Sequence, residues 1–594
     1  MNRELHREAT RVLAVYSGHH AAQAIPLWKD AADRAIELGD FEYAAKFLNN
    51  AGACQISLFQ YKDALNTLER SRLLTERTGD RESLATLNTN IASLYLQMGN
   101  VQSAALAAER GVSFLPKNFP AGGKVFRQGD KVVLQLAAIR ARQHDLARAE
   151  PLFSQAIDAA YAAGDPATAA WAWDYLGYGY YQEGRLTDSS RALTESVRLR
   201  RSFHLPNLDS SFFHLALVRA DQGHPRAAAA LLNSAVQELG IPGNVTPAWN
   251  IFSARGRLAL SAGLFSDAWI DLSKAVEMAR EWRTGIVAND ANRTTSETGL
   301  SGLYASYIEA GNQLALQGRP GLARKTFQAI EENRAASLRA LTPQKAGWRS
   351  RLPLDYWETL PALQEAERSL LQRDVPETRA AVSKLRCTLD DIEARSGVPP
   401  EMKSSLAAAF PPQNKLDPRT VLMSFQMGDR KSWVWAVTHE RISVYPLPSR
   451  AVITGQIEKF ERTLREGNPQ ASVLGASLYQ LLFGAIPEEL RNREHWLLSL
   501  DQELFSLPLS ALVIGPDKGR PLYLGEVHAL QVIPSALMYH GSSEADDFRG
   551  SFLGVGDPIY NRADPRWNAK THESRLTPAL LLRSAANPKS DASP

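Results

Sequence analysis

Three stretches in the N-terminal half of the chain carry one pattern. They are NIASLYLQMGNVQSAALAAERGVSFLP (Asn90–Pro116), YLGYGYYQEGRLTDSSRALTESVRLR (Tyr175–Arg200) and HLALVRADQGHPRAAAALLNSAVQEL (His214–Leu239). In each, a large aliphatic residue precedes a small one (Ile91-Ala92, Leu176-Gly177, Leu215-Ala216), a glycine follows (Gly99, Gly184, Gly223), and a second small residue comes next (Ala104, Ser189, Ala228). A small residue on the first helix of a pair lets the second approach, the glycine closes the turn, and the later small residue receives the return contact. One helix pair cannot cover its own apolar face, so a chain built this way must stack its pairs into a solenoid.

The register recurs at Gly52 with Ala64, Ala137 with Ala149, Gly256 and Gly263 with Ala268, and Gly311 and Gly318 with Ala323. Gly39-Asp40, Gly79-Asp80 and Gly164-Asp165 fall between pairs, where glycine ends one helix and aspartate caps the next. Successive small residues stand mostly about 40 residues apart, against about 34 in the commonest tetratricopeptide unit. The pattern resembles tetratricopeptide repeats of the longer class and predicts about seven or eight helix pairs over residues 1–341. Such an array implies a concave surface for a protein or peptide partner.

The densest aromatic cluster of the array is Trp171, Trp173, Tyr175, Tyr178, Tyr180 and Tyr181. Helical spacing favours core filling between neighbouring helices; anchoring a partner in the groove is the alternative. Arg140, Arg142, Arg198, Arg200 and Arg201 fit a solvated helix face, or else a receptor for an acidic partner.

A formal charge of +3 over 594 residues demands neither a nucleic-acid footprint nor a membrane patch. No run of about 20 apolar residues occurs, and MNRELHREATRVLAVYSGHH lacks the apolar core of a secretory signal. The two cysteines, Cys54 and Cys387, both fall in helical patterns, which excludes a disulfide framework and points to a reducing cytoplasm. Both read as structural thiols, having no histidine close by in sequence. No cofactor is expected. Gly554 and Gly556 form G-x-G without the rest of a dinucleotide motif, no phosphate-loop motif occurs, and His19-His20 lack the spaced partners of a zinc site.

Residues 342–416 hold two amphipathic stretches, LDYWETLPALQEAERSLLQRD and ETRAAVSKLRCTLDDIEARSG, which predict a helical connector. From Asp417 the texture changes. β-rich runs at Val421–Phe425, Trp433–Val437 and Ile442–Tyr445 alternate with polar turns, followed by helical patterns at Ile457–Glu466 and Ala476–Leu482. WLLSLDQELFSLPLSALVIG (Trp496–Gly515) predicts a buried strand, a tight turn and a helix opened by Pro508; Tyr523–His540 predicts a strand and a short helix; Ser551–Asn561 predicts another strand.

TVLMSF, WVWAV, WLLSLDQELFSLPLSAL, YLGEVHALQVIPSA and FLGVGDPIY, in this order downstream of a repeat array, resemble the CHAT family of caspase-like peptidase domains. The resemblance covers about Asp417 to Tyr560, within a domain expected at residues 417–570, and implies an α/β domain of the cysteine-peptidase class, with a histidine and a cysteine on strands beyond the GDP turn. The 34 residues after Tyr560 hold no cysteine and no strand pair to carry such a dyad, so no catalytic, cofactor or metal residue is assigned, and residues 571–594 are expected to be a disordered tail. His572, Ser574, His528 and His540 suit ordinary roles better than catalytic ones. The expected molecule is therefore an α-helical solenoid of tetratricopeptide-like pairs followed by an incomplete α/β caspase-like domain, acting as a binding scaffold. Two alternatives stay open: a fragment of an active peptidase whose dyad lies beyond Pro594, and a repeat adaptor with an unrelated α/β module.

Overall fold

The computed structural model describes residues 12, 21–58, 60–117, 119, 128–239, 247–285, 290–340, 353–373, 375–396, 416–517 and 519–539, with backbone alone at 283–285, 290–299, 335–340, 390–391, 393–396, 517 and 538. His19, His20, His540, Gly554, Gly556, His572 and Ser574 lie outside them, as do the strand expected at Ser551–Asn561 and the expected tail.

Helix α1 (Ala21–Glu37) is followed by seven stacked pairs: α2 (Phe41–Ser57) with α3 (Tyr61–Thr78), α4 (Arg81–Gln97) with α5 (Val101–Ser113), α6 (Gly129–Arg142) with α7 (Leu146–Ala163), α8 (Pro166–Gln182) with α9 (Leu186–Ser202), α10 (Leu208–Asp221) with α11 (Pro225–Gln237), α12 (Ala248–Ser261) with α13 (Phe265–Gly285), and α14 (Asp290–Leu316) with α15 (Gly321–Ala340). The repeated residues do what their types dictate. A Cβ on Gly177 would stand 2.6 Å from Leu193 Cγ, so only glycine admits the leucine of the returning helix; Gly52 meets Leu68 and Gly256 meets Leu272 in the same way. Gly184, at φ 73°, takes the left-handed backbone that a tight turn between paired helices requires. Asp165 caps α8 by accepting from the amides of Ala167 and Thr168, each at 3.0 Å.

First helices of successive pairs pack on one another more extensively than second helices do, which places them on the inner side of the curve. The array turns back far enough for Trp282 Nε1 in α13 to donate to Tyr61 Oη in α3 at 3.3 Å. Helices α16 (Leu354–Gln372) and α17 (Pro376–Ser396) belong to a separate compact unit and pack as a hairpin around Tyr356, Leu363, Val382, Leu389 and Ile392.

The sheet consists of β1 (Thr420–Gln426), β2 (Ser432–Val437), β3 (Ile442–Leu447), β4 (His495–Ser499) and β7 (Ala529–Val532), in the order β3-β2-β1-β4-β7. β1, β4 and β7 run parallel, with Met423 opposite Leu498 and Leu498 opposite Val532, while β1, β2 and β3 form the antiparallel meander expected from the sequence. β5 (Val513–Asp517) and β6 (Arg520–Tyr523) form a separate hairpin.

Strand alternation divides the apolar residues between two layers. Val421, Met423, Phe425, Val434, Ala436, Trp496 and Leu498 pack against α18 (Arg450–Arg465) and α19 (Ala471–Phe483), chiefly on Ile453, Ile457, Phe460, Leu482 and Phe483. Leu422, Trp433, Trp435, Val437 and Leu497 point the other way, into one continuous core with Leu272, Val276, Tyr304, Ile308, Phe327 and Ile330 of the array. The last helices of the array are thus also a helical layer of the sheet, and all of this lies within one compact unit.

Two local expectations need correction. Pro508 opens a single 3-10 turn, Leu509–Ala511, instead of a helix, because the chain must straighten at once for β5 to pair with β6 and bury Leu512. The strand expected from Tyr523 begins only at Ala529; Leu524–Val527 form α21, a single helical turn that buries Leu524 and is held by Glu526 Oε2 accepting from the Tyr523 amide at 3.1 Å. A further helical turn, Glu488–Arg491, is α20.

Candidate functional site

Arg142, Tyr178 and His214 come from α6, α8 and α10, three successive first helices, and form a row. The Arg142 guanidinium stands 5.1 Å from the Tyr178 ring centroid, and the Tyr178 and His214 rings are 4.5 Å apart. Arg142 is exposed; Tyr178 and His214 are half-buried. Beneath them His214 Nδ1 lies 3.0 Å from Oδ2 of Asp174, which is fully buried. Burial pushes the Asp174 carboxyl up, but His214 and Arg200 beside it outweigh burial and hold it below the usual carboxylate range.

The six aromatic residues divide. Trp171, Trp173, Tyr175 and Tyr180 pack against one array core and Tyr181 against the next, as their helical spacing predicts. Tyr178 instead occupies the row between Arg142 and His214. The arginines divide as well. Arg198 meets Glu195 on the surface at 2.6 Å, and Arg140 reaches Glu109 at 2.5 Å. Arg201 lies over the Phe212 ring. Arg200 departs from the solvated face expected of it: it is buried, 4.3 Å over Trp171, with Nε donating to Ser211 Oγ at 3.0 Å. Its position among these helices, more than its residue type, set its environment.

A second constellation sits where α15 meets the sheet. Glu331 is fully buried at the carboxyl ends of the parallel strands. Its carboxylate accepts from Ser424 Oγ of β1 at 2.5 Å, from Ser499 Oγ of β4 at 3.3 Å, and from Ser535 Oγ and the Ala536 amide just beyond β7 at 2.8 and 2.6 Å. Arg334, one turn on, pairs with Glu331 at 2.8 Å and donates to Ser499 Oγ at 2.5 Å and to the Phe425 carbonyl. Trp435 Nε1 of β2 donates to Thr326 Oγ1 of the same array helix at 3.2 Å. A buried carboxylate is tolerable only with this degree of pairing and hydrogen bonding.

Read by itself, EENRAASLRAL (Glu331–Leu341) is a charged helix closing the array, a reading that misses this constellation. The signal was present: Ala323, Phe327 and Ile330 form an apolar stripe that runs on through Glu331 and Arg334, so two charges stand on a buried face. His528 packs its ring 4.6 Å from Trp496, with Nδ1 2.9 Å from the Arg493 carbonyl, and burial draws its pKa down. Burial pushes the Cys54 thiol up to about 11, and Cys387 is buried in the hairpin. Among the described residues no group of three or more His, Cys, Asp or Glu gathers as a metal site, and no helix is long and apolar enough to cross a membrane.

No protein-family model and no curated protein matches the chain. Among solved structures it is similar to a tetratricopeptide repeat protein from Parabacteroides merdae, at 15% identity and TM-score 0.32, over 49% of this chain and 100% of that one. It is also similar to a Rap protein complexed with competence and sporulation factor, at 11% identity and TM-score 0.38, over 56% of this chain and 99% of that one. A third is a signal transduction ATPase with a tetratricopeptide repeat sensor from Pyrococcus horikoshii, at 13% identity and TM-score 0.32, over 50% of this chain and 45% of that one.

Proposed function

We propose that the chain is a protein-interaction scaffold whose array receives a protein or peptide segment along its inner helices. The observation that carries this reading is the Arg142–Tyr178–His214 row, an aromatic ring and a guanidinium presented by successive first helices and backed by a buried carboxylate. Aromatic and arginine side chains of this kind dominate contact energy at interfaces. The α/β module is read as part of a CHAT-like domain that acts without cleaving. Supporting this are the order of its motifs and the nature of its thiols, a pKa-raised Cys54 inside a repeat helix and a buried Cys387 in the hairpin.

The test is quantitative capture of bound proteins by the full chain and three variants. Tyr178→Ala and Arg142→Glu should each lose the same partner, by about ten-fold or more. Ile270→Glu, at an exposed position of the second helix α13, should retain it. Equal capture by all four chains would overturn the inner-surface reading. Hydrolysis of a labelled protein by the purified chain, abolished by thiol alkylation, would overturn the non-cleaving one.

A further inference from the structure

Beside the seam, a cleft of about 410 Å³ opens at the strand ends, lined by Arg334, Leu500, Asp501, Phe505, Val532 and Pro534. The cleft lies outside the carboxyl ends of the parallel strands β4 and β7, the side of the strands on which open α/β sheets take ligands. Four of the six lining residues are apolar, and two of these stand open to solvent, Phe505 at 59% and Val532 at 50% exposure. Asp501 Oδ2 accepts from the Met427 amide at 2.7 Å, and its other oxygen has no hydrogen-bond partner among the described residues. The next residue, Gln502, holds φ at 48°, a backbone that a side chain of its kind rarely adopts and that clusters at binding sites.

The charges decide what would enter. Arg334 spends its Nη donors on Glu331, Ser424, Ser499 and Phe425, and Arg450 is matched by Glu503 at 2.5 Å. Asp501 is then the carboxylate in excess, below walls that suit an aliphatic stem. Val532 and Pro534 bring the carboxyl end of β7 to the rim of the cleft beside Leu500 and Asp501, which follow β4.

We propose that this cleft binds the basic side chain of an extended peptide segment, the stem lying against Leu500, Phe505, Val532 and Pro534 and the cationic head on Asp501. A lysine or arginine stem is apolar enough for such walls, and a charge-assisted hydrogen bond rewards the head. Because Arg334 and Glu331 belong to the array, the site exists only where array and sheet are joined.

The test uses the full chain and two peptides labelled at the N-terminal amine, fluorescein-Val-Leu-Arg-amide and its norleucine counterpart, titrated by fluorescence anisotropy. The arginine peptide should bind about ten-fold or more tighter than the norleucine one. Asp501→Asn keeps an acceptor for the Met427 amide and should bring the two peptides level. Val532→Lys, at a half-exposed position, supplies its own cation and should abolish binding of the arginine peptide. Tyr178→Ala should leave the titration unchanged, which separates this site from the array's inner row. Equal binding of both peptides, no saturable binding by a chain with unaltered circular dichroism, or undiminished affinity in Asp501→Asn would each overturn the proposal.

Discussion

The array and the sheet solve the same problem, covering apolar surface, with contacts of opposite range. In the array each helix is covered by its neighbours in the chain: Gly177 admits Leu193, Gly256 admits Leu272, and Asp165 caps the helix that follows it. In the sheet β1 is joined to β4 across two intervening strands and three helices, and one face is covered by helices that end 80 residues or more before β1, as between Trp435 and Thr326. Stability in a solenoid is close to a sum over nearest neighbours, whereas a sheet forms only when its distant parts meet. Local damage should therefore stay local in the array and become global at the sheet.

The largest expected effect is at the seam. Glu331→Ala leaves Arg334 without its carboxylate and three buried serine hydroxyls without their shared acceptor, and should cost about 3–5 kcal/mol. Urea unfolding with hydrogen exchange should show protection lost across β1, β4, β7 and α15 together, with α2 to α5 unaffected; loss confined to α15 would break the contrast. Next comes Gly177→Leu, which forces a side chain into Leu193 and should cost about 1–3 kcal/mol or somewhat more. Its exchange signature should stop within one pair on either side, and β1 should keep its protection. Trp435→Phe removes the hydrogen bond to Thr326 together with part of a fully buried indole and should cost about 1–3 kcal/mol, read as a lowered urea midpoint of the sheet with the N-terminal pairs unchanged.

The smallest effect distinguishes the two regions by the sign of a pH slope. Asp174 in the array is held below its usual range, so its contribution is complete above the unfolded-state value of about 3.9 and is lost as pH falls through the lower folded-state value. Asp501 in the sheet is pushed up by burial, which the nearby Arg334 only partly offsets. The folded state then holds that proton more tightly, and stability declines as pH rises from the unfolded value to the raised one. Stability profiles of Asp174→Asn and Asp501→Asn against pH should flatten in these opposite senses. Matching slopes would erase the distinction.

Legibility in the sequence followed contact range. The helix pairs, their glycine turns and their aspartate caps could be read because every partner lies within a few tens of residues and repeats. The meander was legible for the same reason, its strands being adjacent in the chain. The 3-10 turn after Pro508 was not, since pairing of β5 with β6 overrode the local helical pattern. Arg200 and Tyr178 departed from their expected places, the charge going inside and one ring joining the half-buried row, because Ser211 and His214 arrive from the next first helix. For Glu331 the clue was two charges on an apolar stripe, while the three serines that satisfy it lie 93, 168 and 204 residues away.

What the sequence determined by itself is periodic: small residues where helices touch, glycines with left-handed backbone where they turn, and strands whose alternation loads both faces. Tertiary structure alone decided what each face meets, and it made the final array helix a layer of the sheet, with a buried carboxylate at the join. The physical reason is that helix and turn preferences act over a few residues, whereas desolvating a charge has a favourable outcome only once remote donors have been brought to it.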